Sequence, residues 1–253
     1  MFQKTKIVIL AAGQGTRMQS EMPKVLVALN DKPMIKYVLD AVHDTGIDDS
    51  PVIVVGHRKD EIIAELDKDG RAYTYVTQHE QLGTGHAVIC AESVLKGTAD
   101  NIIILPSDHP FLTPLTIKKL KEKQEESGAT ITMATTVVPD FDDWRKAFYK
   151  SFSRIIRDEN GKIIRDVQFR DAKDDEKKVK ELNPIYFCFK AEWIWENLKK
   201  LNTHNDQKQY YLTDLVRIAM EEGEKIESIS VSPKEALAAN SKEELELLER
   251  VAK

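Results

Sequence analysis

A chain of 253 residues with 37 Lys and Arg against 42 Asp and Glu, net charge -5, can bury one sizeable core. It offers no overall cationic field for nucleic acid or an acidic membrane surface, so anionic substrates would need a local basic cluster. Cys90 and Cys188 lie far apart without metal-type spacing, which argues against a disulfide framework or a zinc site and for a reduced, cytoplasmic protein. The first apolar run, Ile7 to Ala12, is too short for a signal peptide or membrane span and leads straight into a glycine turn.

In chain order, β-branched runs at Lys6 to Leu10, Val52 to Val55, Tyr73 to Val76 and Ile102 to Leu105 predict strands buried on both faces. Helical patterns at Pro33 to His43, Lys59 to Leu66, Gly85 to Leu95 and Leu115 to Glu125 lie between and after them, the alternation of βαβ units around a parallel sheet. From Ala129 the pattern changes. A strand at Thr130 to Val138 precedes Arg154 to Phe169, where Asp158-Glu159-Asn160-Gly161 reads as a hairpin turn. Helices follow at Ala191 to Leu201 and Leu212 to Glu222, then a strand at Lys225 to Val231 and an amphipathic helix at Lys242 to Val251. The expected fold is α/β, a doubly wound, mostly parallel central sheet with a small antiparallel edge or lid. No repeat or linker divides it, so residues 1–253 are expected to form one domain, with a nucleotide-binding half at 1–128 and an acceptor half at 129–253.

After the first strand, Leu10-Ala11-Ala12-Gly13-Gln14-Gly15-Thr16-Arg17-Met18 is a small-residue loop whose backbone N–H groups could close around a triphosphate. Met18 stands where a dinucleotide fingerprint needs its third glycine, and no Gly-Lys-Ser or Gly-Lys-Thr follows, so neither that motif nor a P-loop is present. Arg17 supplies a planar fork for phosphate oxygens, and Lys24, after Pro23, a point charge on the same side of the loop. For the glycines alone, a tight strand-to-helix turn is the simpler reading; the two cations turn it into a clamp. Asp108, just past the apolar run Ile102 to Leu105, would emerge at the same sheet edge, where a carboxylate can hold a metal or cap a turn. His86 and His109 read as packed histidines.

The runs LAAGQGTRM, Met22 to Leu26 and Lys32 to Ile35 resemble the signature of the sugar-phosphate nucleotidyltransferases. Gln78 to Ala87, Asp158 to Lys162, Glu181 to Asn183, Tyr210 to Asp214 and Asn240 are similar to the uridyltransferase domains of the bifunctional N-acetylglucosamine-1-phosphate uridyltransferases. The resemblance runs through nearly the whole chain in order. It implies a Rossmann-like nucleotide-diphospho-sugar transferase fold and transfer of UMP from UTP to a sugar 1-phosphate, with no nucleic-acid or membrane partner. The acetyltransferase half of those enzymes has no counterpart here, so that second activity is not expected.

By the same resemblance, Arg17 and Lys24 would be catalytic, and Leu10, Ala11, Ala12, Gly13, Gln14, Gly15 and Thr16 would cradle the nucleotide. Gln78 and the Gly83 backbone would read a uracil edge, with Gln81 and Thr84 lining the pocket; an amide plus close backbone is suited to a pyrimidine. Asp108 and Asn240 would hold Mg²⁺, a hard cation that needs few protein oxygens. Ser153, Gln168, Asn183, Tyr211 and Thr213 would contact the acceptor. There the chain departs from the family pattern: Ser153 replaces a glycine, Gln168 a glutamate, and Pro184-Ile185 a threonine-glycine pair, which alters hydroxyl recognition and leaves the sugar open. The alternatives are a cytidylyl- or guanylyltransferase on another small phosphorylated acceptor, or a non-catalytic nucleotide sensor, which should have lost the clamp or the metal position.

Overall fold

The computed structural model describes residues 3–18, 20 and 22–252. In chain order the strands are β1 (Thr5–Ala11), β2 (Ala28–Leu29), β3 (Lys32–Pro33), β4 (Val52–Val55), β5 (Thr74–Thr77), β6 (Asn101–Pro106), β7 (Ile131–Val137), β8 (Ser153–Arg157), β9 (Ile163–Val167), β10 (Glu181–Asn183), β11 (Phe187–Lys190) and β12 (Ile226–Ser230). The helices are α1 (Met34–His43), α2 (Lys59–Leu66), α3 (Thr84–Leu95), α4 (Pro114–Ser127), α5 (Lys146–Ser151), α6 (Ala191–Asn197), α7 (Asp214–Glu221) and α8 (Lys242–Ala252).

One sheet runs in the order β5-β4-β1-β6-β11-β7-β10-β8-β9, with β12 also on β7, and β2 and β3 form a separate small ribbon. β5, β4, β1 and β6 are parallel, while β11 enters antiparallel between β6 and β7, and β10, β8 and β9 continue antiparallel to the edge. β4, β1 and β6 are buried on both faces because period-two alternation feeds two cores, whereas β5, expected to be buried on both faces, is only half-buried because it is the edge strand. Ile7, Ile9 and Ala11 of β1 join Val38 and Leu39 of α1, Ile62 of α2 and Leu120 of α4 on one face. Val8 joins Val88 and Ala91 of α3, Trp195 of α6 and Leu215 of α7 on the other.

Local signals set the helix ends. α4 starts at Thr113, whose Oγ1 accepts from the Thr116 N–H at 3.3 Å, with Pro114 at its first position, and stops at Gly128 with φ 63°. Among the described residues no helix is long and apolar enough to cross a membrane.

Two features direct the chain toward a site. β4 and β5 lie to one side of β1 and β6 to the other, so the strand order reverses between β1 and β6, and ligands of open α/β sheets bind beyond the strand carboxyl ends at such a point. The Ser107 hydroxyl donates to the Leu10 carbonyl at 2.6 Å and holds the two strand ends together. A third apolar cluster, with Phe148 of α5, Leu182 of β10, Leu237 from the turn before α8 and Leu248 of α8 together with Met18, fastens the later elements over that end.

Candidate active site

Beyond β1 and β6 opens a cleft of about 520 Å³. Along its glycine loop, Gly13 is exposed and a β-carbon there would meet nothing within 4 Å, whereas at Gly15 (φ 62°) it would lie 2.4 Å from the Lys24 β-carbon. Gly13 thus leaves room on the cleft side, and Gly15 lets the stem of Lys24 pass. Lys24 opens a short 3-10 turn anchored by buried Val25 and Leu26, so its ammonium has a fixed base. It donates to Asp108 Oδ2 at 2.5 Å and to Asn240 Oδ1 at 2.6 Å. Three residues far apart in sequence therefore meet at one charged point.

The Asp108 carboxyl is raised by burial but more than compensated by the Lys24 ammonium, so it sits below the usual carboxylate range. Asn240 is held by its own N–H, which donates to Glu244 Oε2 of α8 at 2.6 Å. His109 is a neutral neighbour: burial pulls it down to about 4, and the Tyr186 hydroxyl spends its only proton on the Glu235 carbonyl at 2.7 Å. His109 Nδ1, 2.8 Å from that hydroxyl, must therefore be the donor between them, which assigns it a packing role.

Arg17 does not line this cleft. It borders an adjoining cavity of about 530 Å³ with Lys146 and Lys150, and Ser151 lines both spaces. Leu10, Ala12 and Gln14 line the cleft, Ala11 is buried beside them, and the side chain of Thr16 lies outside the described part of the structure.

At the second wall, Gln78 follows β5 and is buried, its Nε2 donating to the Gly83 carbonyl at 3.1 Å and lying 3.0 Å from His86 Nδ1. Its Oε1 is the half of the amide left for a ligand. Gln81 bridges back to the glycine loop by accepting from Gln14 Nε2 at 3.1 Å. Gly83 caps α3 with φ 111°, and a β-carbon there would lie 2.6 Å from the Tyr210 carbonyl. Thr84 Oγ1 accepts from the Leu212 N–H at 3.0 Å. That hydroxyl works as a tie, binding 210–212 to the start of α3.

The third wall is antiparallel. Asn183 pairs with Ser153, and Arg154 with Val167, which brings Gln168 beside Ser153 in a row across three strands. All three line the cleft. Thr213 and Tyr211 do not: Thr213 Oγ1 accepts from Gln168 Nε2 at 3.0 Å behind the row, and the Tyr211 hydroxyl donates to Gln207 at 3.0 Å. Ile185 lines the cleft with φ 63°, a costly conformation for a β-branched residue, and its N–H donates to Asn183 Oδ1 at 2.7 Å.

Beside this row stands a residue that sequence reasoning missed, Asp166. Its carboxyl is pushed up to about 7 by burial, with nearby Asp214 adding to the rise and Ser153 and Asn183 opposing it.

The family of MobA-like NTP transferase domains matches residues 7–213. The bifunctional protein GlmU of Caldicellulosiruptor saccharolyticus is 35% identical over all of this chain and 53% of its own length. That of Clostridium acetobutylicum is 38% identical over 94% of the chain and 50% of its own. The chain thus spans about half the length of the curated relatives it matches. Among solved structures, a putative glucose-1-phosphate thymidylyltransferase from Bacillus anthracis superposes with a TM-score of 0.76 at 18% identity, covering 98% of this chain and 95% of that one. The inositol-1-phosphate CTP transferase from T. maritima gives 0.73 at 15%, covering 100% and 98%, so these two share the fold. On the match over residues 7–213, the chain belongs to the family of MobA-like NTP transferase domains.

Proposed function

We propose that this chain transfers UMP from UTP to a sugar 1-phosphate, N-acetylglucosamine 1-phosphate or another hexose 1-phosphate, and releases pyrophosphate. The observation that carries the reading is the Lys24 ammonium held between Asp108 and Asn240 at the mouth of the glycine loop. The likeness to GlmU proteins along the whole chain supports it.

The residues fit a divalent cation. Two hard oxygens, Asp108 Oδ2 and Asn240 Oδ1, already converge on one positive charge, the donor type that suits Mg²⁺. When bound there, Mg²⁺ would supply charge neutralisation at the phosphate oxygens, its usual part in such transfers. The chain's own residues do the rest. The Gly13 to Thr16 backbone gives the phosphates close approach, and Gln78 Oε1 accepts from the uracil N3–H. An acceptor phosphate oxygen, already ionised near neutral pH, attacks the α-phosphorus as its bond to the bridging oxygen breaks, so no general base is needed. Lys24 stabilises charge at the α-phosphate, and Arg17, in the adjoining basic cavity, receives the departing pyrophosphate.

Calorimetric titration tests the nucleotide half of this reading. UTP should bind more tightly than CTP, GTP or ATP, and more tightly with Mg²⁺ than with EDTA. Preference for CTP or GTP would move the assignment to a cytidylyl- or guanylyltransferase.

A further inference from the structure

Asp166 lies on β9 opposite Ile155 of β8, on the same sheet face as Ser153 and Asn183, and is 8% exposed. Its Oδ2 accepts from Asn183 Nδ2 at 2.6 Å. Its Oδ1 and the Ser153 hydroxyl are both buried with no partner within hydrogen-bond distance, and the hydroxyl lies near enough to the carboxyl to hold down its rise. Of the two, the Ser153 hydroxyl lines the cleft and is the one a bound polar atom can satisfy.

Hydrogen-bond accounting at Asn183 then fixes what the wall can offer. Its Oδ1 is taken by the Ile185 N–H at 2.7 Å and one Nδ2 hydrogen by Asp166, so the amide cannot flip without breaking both bonds. One Nδ2 hydrogen remains, on a residue that lines the cleft beside Ser153. Across the row, Gln168 has one amide hydrogen committed to Thr213 and keeps its Oε1.

We propose that Asp166 is a positioning residue for acceptor recognition: it orients the Asn183 amide so that the free N–H, together with the Ser153 hydroxyl, is presented to an oxygen of the acceptor sugar, a hydroxyl or an acyl carbonyl. The proposal rests on the sugar 1-phosphate reading above. It places acceptor selectivity in a buried carboxyl that never touches the sugar.

The test uses the whole chain in two variants. Asp166→Leu removes the bond to Asn183 with a side chain of the same branching, and Asp166→Asn keeps an oxygen to accept it. Asp166→Leu should raise KM for the accepted sugar 1-phosphate about tenfold, the value of one hydrogen bond, with kcat and KM for UTP within about twofold. Asp166→Asn should stay within about threefold of wild type. In ligand-free protein, the Asn183 side-chain amide resonances should move in Asp166→Leu and hold in Asp166→Asn. An unchanged acceptor KM in Asp166→Leu, a parallel rise in KM for UTP, or unmoved Asn183 resonances would overturn the proposal. Absence of turnover by the wild type with every acceptor would instead sink the transferase reading, and the resonances would still decide the Asp166–Asn183 link.

Discussion

Lys24 is the residue on which the proposed chemistry converges, and its position depends on Gly15. With φ 62° and a β-carbon that would meet the lysine stem at 2.4 Å, Gly15→Ala should displace the ammonium and lower kcat while costing about 1 kcal/mol of stability. Thermal melts and steady-state kinetics together check it. Lys24→Ala, which keeps the loop but removes the charge, should lower kcat by about 10²-fold or more, and it should also lower Tm because the buried Asp108 carboxylate loses its partner. Retention of near-wild-type turnover would remove Lys24 from its role. At this scale the sequence was readable where a residue's surroundings are local. Asp108 follows a wholly buried strand with an apolar run from Ile102 to Pro106 and had to emerge at the sheet edge, and Gly15 and Lys24 belong to one short run. Asp166 was not readable, because an aspartate in a short hairpin reads as surface. It is buried by α7, packed on β9 from about fifty residues further along the chain.

At the scale of elements, the strands and helices of the first half follow from hydrophobic period, whereas the join between halves does not. β11 is four residues long, starts three residues after Pro184, and carries too short an apolar run to separate strand from helix; yet it is the strand that links β6 to β7. Its choice of partners is a tertiary matter, settled by two neighbours already in place. Phe187, fully buried there, is packed in the core shared with α3 and α7, and Phe187→Ala should cost about 3–5 kcal/mol, measured by denaturant unfolding. α5, six residues long, escaped notice for the same reason of length, and it supplies the lysines beside Arg17. α8 was readable from its amphipathic pattern, but its duty was not. Glu244 holds the Asn240 backbone, so Glu244→Ala should weaken Mg²⁺-dependent UTP binding more than it lowers Tm, as titration calorimetry alongside a melt would show.

For the molecule as a whole, the buried carboxyl of Asp166 ties stability to pH. Its folded pKa of about 7 lies above the unfolded carboxylate value, so between about pH 4 and 7 the folded state keeps a proton that the unfolded chain has lost. Stability from this group is therefore full below that window and declines as pH rises through it. Asp214, also raised by burial, acts in the same direction, and Arg217 and Asp171 are the other charges around that carboxyl. Asp166→Asn should melt a few degrees above wild type at pH 8 and at the same temperature near pH 4. An equal gain at both pH values would place the effect elsewhere.

The central claim, that the cleft between the β1 and β6 ends joins UMP to a sugar 1-phosphate, is tested most directly by pyrophosphate release from the whole chain with Mg²⁺, each nucleoside triphosphate being offered against a panel of sugar 1-phosphates. The account predicts release only when UTP and a hexose 1-phosphate are present together, with one UDP-sugar formed per pyrophosphate. Silence across the whole panel would contradict it.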